Sequence, residues 1–219
     1  MAVVGVVSQK GGIGKSTLCQ ALVTEATRSG LRAKLADLDA LQSTSVEWHR
    51  VRLAQGVEPA VEVQGFGSLA AALRDAVSFD YLVLDGPARS TSNTLAVARA
   101  ADLVIQPTGC SAADLRPAVR LFNELAAGGI LRGRLVMVLS RIGSDPEERD
   151  ARAFIQEAGF AVVPGSIPER PAYRTAQNRG RALSEVSILS LRRRCEQVLE
   201  KIGELLDEDE IPAQVGPVR

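Results

Sequence analysis

The stretch Ser8-Gln9-Lys10-Gly11-Gly12-Ile13-Gly14-Lys15-Ser16-Thr17 restricts what this chain can fold into more than any other part of it. An apolar run of strand length, Val3 to Val7, comes directly before it, and the helical Leu18-Cys19-Gln20-Ala21-Leu22 comes directly after. Strand, glycine loop and helix in that order are what a phosphate cradle needs. Gly11, Gly12 and Gly14 let the backbone approach phosphate oxygens and turn N–H groups inward, while the new helix adds the positive end of its dipole. Lys15 is placed to reach β- and γ-phosphates, and the Ser16 hydroxyl to ligate Mg²⁺.

The usual pattern GxxxxGK[ST] has glycine where this chain has Gln9, so what stands here is the variant KGGxGKS. Lys10 is an extra lysine whose loop geometry points it away from phosphates bound by its own loop, and it can serve a nucleotide held by a second copy of the protein. Lysine occurs only at positions 10, 15, 34 and 201, so two in this loop are not incidental. Acidic positions fall in order behind it. Tyr81-Leu82-Val83-Leu84-Asp85 is an apolar run ending in Asp, suited to holding a Mg²⁺ water shell at the carboxyl edge of a parallel sheet. Gly86-Pro87 follows where a backbone N–H is expected to sense a γ-phosphate. Leu35-Ala36-Asp37-Leu38-Asp39 presents two acids one strand period apart, one suited to position an attacking water and the other to steady the metal shell.

Further apolar runs at Ala33 to Ala36, Val61 to Val63, Leu103 to Ile105, Leu135 to Leu139 and Ala161 to Val163 alternate with helical segments such as Leu18 to Arg28, Leu69 to Val77 and Leu115 to Ala126. This βαβ rhythm, in strands apolar on both faces, predicts an α/β fold with a mostly parallel twisted sheet in a three-layer α/β/α arrangement. At 219 residues, without a linker or repeat, the chain reads as one domain over 1–206 and a flexible acidic tail over 207–219. Ile188, Leu191, Cys195, Val198, Leu199, Ile202 and Leu206 give the last helix, from Ser187 onward, one apolar stripe. Acidic and basic residues balance at 26 each, so any basic patch is local. Cys19, Cys110 and Cys195 lack zinc or disulfide spacing and read as small core residues, which with the want of a signal-like segment predicts a reducing cytoplasm. No run approaches the ~20 apolar residues of a membrane span.

At these residues the chain resembles the ParA/MinD group of deviant-Walker ATPases, of P-loop NTPase type. KGGIGKS at 10–16, DLD at 37–39 and LVLDGP at 82–87 match the group's three nucleotide motifs in order. Within the group it is most similar to the short, ParF-like ParA partition proteins. IQPTGCSAADL at 105–115 resembles their loop after the fifth strand, and SIPERPAYRTAQNRGRAL at 166–183 their IPxRxxYxxAxxxGxxL stretch. The resemblance implies ATP and Mg²⁺ as cofactors. Lys10 would contact the partner subunit's phosphates in an ATP-sandwich dimer, with Lys10, Lys15 and Asp39 as the catalytic set. Nucleotide contacts fall on Lys10, Gly11, Gly12, Ile13, Gly14, Lys15, Ser16 and Thr17, with Pro168 flanking adenine and Arg170, beside Tyr173, near the dimer and partner surfaces. Ser16, Asp37 and Asp85 serve the metal, the two acids through its water shell, while Asp39 positions water.

Departures from the group are local. Asp39 is followed by Ala40-Leu41-Gln42 where the group reads DxDPQ, and Ser140-Arg141 stands where an Asn near adenine often ends the sixth strand. With a strand beginning at residue 2, an operator-reading helix-turn-helix ahead of it is not expected. Taken alone, Arg192-Arg193-Arg194 is a solvated basic face. The resemblance turns it into a surface for non-specific DNA, with Arg170, Arg174, Arg179 and Arg181 as weaker candidates. His49 reads as a packed or surface residue. The expectation is an ATPase that dimerises with ATP, coats the nucleoid and positions a cargo on stimulation by a ParB-like adaptor or centromere-binding protein, without stable membrane association. The alternative, a MinD-like membrane-associated regulator, is disfavoured by the acidic end from Glu196 to Glu210. An iron–sulfur carrier is disfavoured by the want of cysteine between Gly86 and Asn93.

Overall fold

The structure, a computed structural model, describes residues 1–87 and 91–207, so the expected tail lies, beyond residue 207, outside the described residues. Among the described residues the strands are β1 (Ala2–Val6), β2 (Ala33–Asp37), β3 (Glu62–Gly65), β4 (Tyr81–Asp85), β5 (Leu103–Thr108), β6 (Leu135–Ile142), β7 (Ala161–Val162) and β8 (Ile167–Pro168). The helices between and after them are α1 (Lys15–Arg28), α2 (Thr44–Ala54), α3 (Leu69–Asp75), α4 (Thr91–Ala100), α5 (Ala112–Ala127), α6 (Asp145–Glu157), α7 (Pro171–Gln177) and α8 (Leu189–Asp207). The sheet order is β3-β2-β4-β1-β5-β6-β7 with β8 on β6, and every pairing is parallel.

Alternation along the strands explains the layers. Val4 and Val6 of β1, Leu35 of β2 and Val83 of β4 point to one face, where they meet Leu18 and Leu22 of α1, Trp48 of α2, Tyr173 of α7 and Cys195, Val198 and Ile202 of α8. Val3, Ala36, Leu82 and Leu84 point to the other, against Ala72 of α3, Val97 of α4, Phe122 of α5 and Ile155 of α6. Apolar strands therefore have a helical layer on each side, as expected. Gly5 is where α4 comes closest, since a Cβ there would lie 2.9 Å from Val97 Cγ1.

The sequence expectations shift in several places. The third strand runs Glu62–Gly65, later than Val61 to Val63, and its mostly exposed residues mark it as the sheet edge. Helix α8 starts at Leu189, which leaves Ile188 outside the stripe and 48% exposed. The short β8 has no apolar run of its own, and it exists because Ile167 and Pro168 pair with the end of β6. Cys19 and Cys195 are buried as expected, but Cys110 is half-buried in the loop after β5.

One polar cluster ties the first layer together. Arg52 of α2 is 1% exposed, and its guanidinium donates to both carboxylate oxygens of Glu185, at 2.7 and 2.9 Å. It also donates to the carbonyls of Gly180 at 3.0 Å and Pro59 at 2.8 Å, while Trp48 Nε1 donates to Arg181 O at 3.3 Å. Such a buried pair holds only because each donor and acceptor is satisfied. Gly180 sits at φ 67°, and a Cβ on it would come within 2.4 Å of the Arg52 backbone. Gly180→Ala is therefore expected to cost about 2 to 4 kcal/mol. Urea denaturation checks this, and a loss below about 1 kcal/mol would show that α2 moves aside freely.

Candidate nucleotide-binding site

Strand register brings the candidate residues to one edge. Val6 pairs with Asp85 across β1 and β4, and Asp85 with Asp37 across β4 and β2, so the loop leaves β1 beside both acids. Within the loop, Ser8 Oγ accepts from the Lys10 N–H at 3.1 Å and donates to the Lys10 carbonyl at 3.0 Å. Gly12 and Gly14 take φ of 73° and 93°, the left-handed conformation that glycine adopts without steric cost. Gly14 is the N-cap of α1, where no side chain caps the helix and no acid occupies its first turn. The N–H groups there are left for an anion, which the helix dipole also favours.

Lys15 donates from Nζ to Asp85 Oδ1 at 2.6 Å, and both side chains are largely buried. Ser45 Oγ holds the other Asp85 oxygen at 2.9 Å. Asp37 accepts from the Asp39 N–H on one oxygen and from the Ser45 N–H on the other, each at 3.0 Å, and so anchors the start of α2. Burial, then repulsion from Asp85, pushes the Asp37 carboxyl above its usual range, against the pull of those backbone N–H groups. Burial disfavours the Lys15 charge, but attraction to Asp85, with help from Cys19 and Asp37, outweighs it and raises the ammonium above its usual 10.5. Two buried acids in register on adjacent strands, one of them paired with Lys15, form a set of oxygens that suits a divalent cation. No group of three or more His, Cys, Asp or Glu residues forms a metal cage among the described residues. Mg²⁺ keeps most of its waters and takes few direct protein ligands.

A cleft of ≈ 370 Å³ opens in front of the loop. Of the expected site residues, Lys10, Gly11, Gly12, Gly14, Lys15, Ser16, Thr17, Pro168 and Arg170 line it together, with Gln42 and Thr44. Ile13 is 6% exposed and is not part of this cleft wall; it lines the neighbouring concavity beside Lys10 and Asp114. Asp37 and Asp85 lie buried rather than in the cleft wall. Asp39 is half-buried in a turn, where its carboxylate accepts from the Gln42 N–H at 3.1 Å, which gives Gln42 a place. One expectation is corrected: the Gly86 N–H is spent on the Val6 carbonyl at 3.1 Å and does not face the cleft. Lys10 turns elsewhere too. Its ammonium donates to Asp114 at the head of α5, and Ser111 Oγ donates to the other Asp114 oxygen at 2.6 Å. Burial would raise the Asp114 carboxyl, but these two bonds hold it below its usual range.

Sequence reading missed two contacts of the cleft. Gln177 of α7 donates to Thr17 Oγ1 at 2.7 Å and to Gln20 Oε1 at 3.2 Å. Arg141 donates to the Gly12 carbonyl at 2.7 Å and to Glu169 Oε2 at 2.7 Å. The motif containing Gln177 and the unusual Ser140-Arg141 were visible, but not what they touch. The arginine triplet lies apart on the first turn of α8, and it divides. Arg192 donates to the Val186 carbonyl at 3.0 Å, and Arg194 to Ser166 Oγ at 2.7 Å and Glu148 at 3.0 Å, while Arg193 is exposed. Tyr173 is buried with its hydroxyl on the Leu191 carbonyl at 2.8 Å.

The pattern of the CobQ/CobB/MinD/ParA nucleotide binding domain matches residues 4–183. The chain belongs to this family. Kinship with the ParA/MinD group, expected from three short motifs, is thereby borne out. No curated protein matches the chain. Among solved structures, MinD of Pyrococcus horikoshii, complexed with Mg-ADP, superposes with a TM-score of 0.74 at 16% identity over 93% of this chain and 96% of that one. A putative plasmid partition protein of Borrelia burgdorferi bound to AMPPNP gives 0.72 at 16% identity, over 93% and 98%. The ATP complex of a Cyanothece McdA variant gives 0.69 at 21% identity, over 93% and 96%. At such identities the likeness is one of fold, and it bears out the three-layer α/β architecture.

The buried pair of Lys15 and Asp85 has a pH signature. A raised lysine pKa places its stabilisation below the unfolded value of 10.5, to be lost only as pH rises through the higher folded value. Lys15→Met strands Asp85 without a counter-charge and is expected to cost about 3 to 5 kcal/mol near neutral pH. The deficit should shrink as pH rises through the folded value of the lysine, where the unsubstituted protein loses the same stabilisation. Denaturation of both proteins from about pH 7 to about pH 11 measures this, and a deficit independent of pH would remove the charge from the explanation.

Proposed function

We propose that the chain is a Mg²⁺-dependent ATPase that dimerises around ATP, binds DNA non-specifically in that state, and positions a cargo when a partner protein stimulates hydrolysis. The observation that carries this reading is the opposite engagement of the two loop lysines. Lys15 turns inward onto Asp85, while Lys10 turns onto Asp114, beside a second concavity of ≈ 550 Å³ that includes Gly109, Ser111 and Glu147. On this reading one lysine serves its own nucleotide and the other a nucleotide brought by a second copy. Neighbours of the same fold complexed with ATP, AMPPNP and Mg-ADP support the choice of ligand.

The chemistry needs no protein nucleophile, because phosphoryl transfer to water depends on positioning and on neutralising charge. On this reading the N–H groups of 12–17 and the Lys15 ammonium hold the phosphates, and the phosphate takes over the ammonium that Asp85 now binds. Asp85, Asp37 and the Ser16 hydroxyl then hold the Mg²⁺ and its waters. The ion supplies charge neutralisation at the phosphates. Asp39 orients the attacking water from the turn that Asp37 and Gln42 brace. Lys10, leaving Asp114, adds positive charge from the partner subunit, so that dimerisation and a competent site come together. The domain assignment over 1–206 and the likeness to short ParA proteins belong to the same proposal.

For DNA, the surface differs from a bare triplet. Arg179, Arg181 and Arg192 line one groove beside the start of α8, next to exposed Arg193. A row of guanidinium groups suits phosphates at successive positions and carries no sequence information. On this reading the protein works on the nucleoid, with a ParB-like adaptor as stimulating partner. Among the described residues no helix is long and apolar enough to cross a membrane.

Two outcomes are expected. Lys10→Ala retains nucleotide affinity but loses the ATP-dependent dimer, which light scattering with and without ATP measures; a persistent dimer sinks the sandwich. DNA retention requires ATP and weakens steeply with salt, and the Arg179→Ala/Arg181→Ala variant lowers the salt slope by about one per lost contact. Unchanged slope, or retention without nucleotide, places DNA elsewhere or removes it.

A further inference from the structure

We propose that Arg141 is a positioning residue for phosphate binding: it pins the Gly12 carbonyl outward and thereby keeps the N–H of Ile13 turned into the phosphate loop. The inference rests on the reading of residues 8–17 as a phosphate cradle and adds to it the group that holds the cradle in shape.

The need for such a group follows from the loop itself. Gly11 and Gly12 have nothing within 4 Å of where a Cβ would stand, so no packing restrains this part of the loop. A peptide flanked by glycine rotates with little steric resistance. In the trans Gly12–Ile13 peptide the carbonyl and the N–H point to opposite sides, so whatever fixes one direction fixes the other. The guanidinium of Arg141 does this from Nη1, at 2.7 Å from the Gly12 oxygen.

The chain departs from regular structure to deliver that arginine. Arg141 is the exposed residue of β6, between buried Ser140 and Ile142, and the pairing with β8 shifts register between those two. Its φ is 60°, in the left-handed region that residues with a Cβ rarely adopt. A bulge with this conformation re-aims one side chain, here across the sheet edge toward the loop. The second face of the fork is fixed as well: Nε donates to Glu169 Oε2 at 2.7 Å, and Arg174 donates to the other oxygen of Glu169. An ion pair this exposed contributes little stability by itself. Its effect is to hold a planar donor at one angle, which an ammonium on a flexible stem cannot reproduce.

Calorimetric titration with ADP and with AMP, both with magnesium, separates the loop from the rest of the cleft. Arg141→Ala is expected to weaken ADP by about tenfold to a hundredfold, the scale of one charge-assisted hydrogen bond, and to leave AMP unchanged. Arg141→Lys recovers part of the ADP affinity, and Glu169→Gln loses a smaller part. In the unliganded protein the Ile13 amide of Arg141→Ala exchanges faster with solvent, while the amides of β1 and β4 keep their protection. Equal loss of ADP and AMP, or ADP affinity and Ile13 exchange both as in the unsubstituted protein, would overturn the assignment. Failure of the unsubstituted protein to take up ADP would instead overturn the cradle reading beneath it.

Discussion

A lysine ammonium held 2.6 Å from a buried strand-end carboxylate is the interaction on which the site is organised. Neither charge could be buried alone, and each is tolerable because the other is present. The pair fixes the geometry of its surroundings. Asp85 stands in register with Val6 and Asp37, so its position also sets the distance from the phosphate loop to the start of α2. Ser45, on α2, completes the Asp85 coordination and gives its own N–H to Asp37. The acids are therefore never free of a cation or of backbone donors. On the functional reading, phosphate and Mg²⁺ replace one set of compensating charges by another, without exposing a naked carboxylate at any stage.

What could be read from the amino acids was whatever depended on neighbours in sequence. The strand-loop-helix order around Gly11, Gly12 and Gly14 follows from local conformational preference, and the strands follow from short apolar runs. Even the layer assignment needs only the two-residue period of the strands. The errors have local causes as well. Val61 to Val63 is the most apolar part of its segment, but the edge strand is chosen by pairing with β2, which begins at Glu62. Gly86 carries an N–H at the right place in sequence, and the β1 carbonyl beside it claims that donor.

Contacts across long sequence separations stayed invisible. Arg52 meets Glu185 across 133 positions, Gln177 meets Thr17 across 160, and Arg141 meets Gly12 across 129. In each pair at least one partner looks like an ordinary surface residue when read alone. The contacts of the arginine triplet were hidden in the same way. Arg192 and Arg194 are consumed by carbonyls, a hydroxyl and a carboxylate within the fold, whereas Arg179 and Arg181, dispersed in sequence, share a groove with Arg192. Charge read along a chain and charge read on a surface are different quantities, and a partner responds only to the second.

Helix α2 joins the two halves of the functional argument. Its first turn is bound to Asp37 and Asp85, the acids assigned to the metal shell, directly after the turn that holds Asp39. Its last turn carries Arg52, which grips Glu185 and the carbonyl of Gly180. Gly180 lies between Arg179 and Arg181, and Glu185 itself helps to line their groove. On the proposed reading, an element with one end on acids that serve hydrolysis and the other on a groove that meets DNA has two sites to bias, which is the physical requirement for nucleotide state and DNA affinity to be linked.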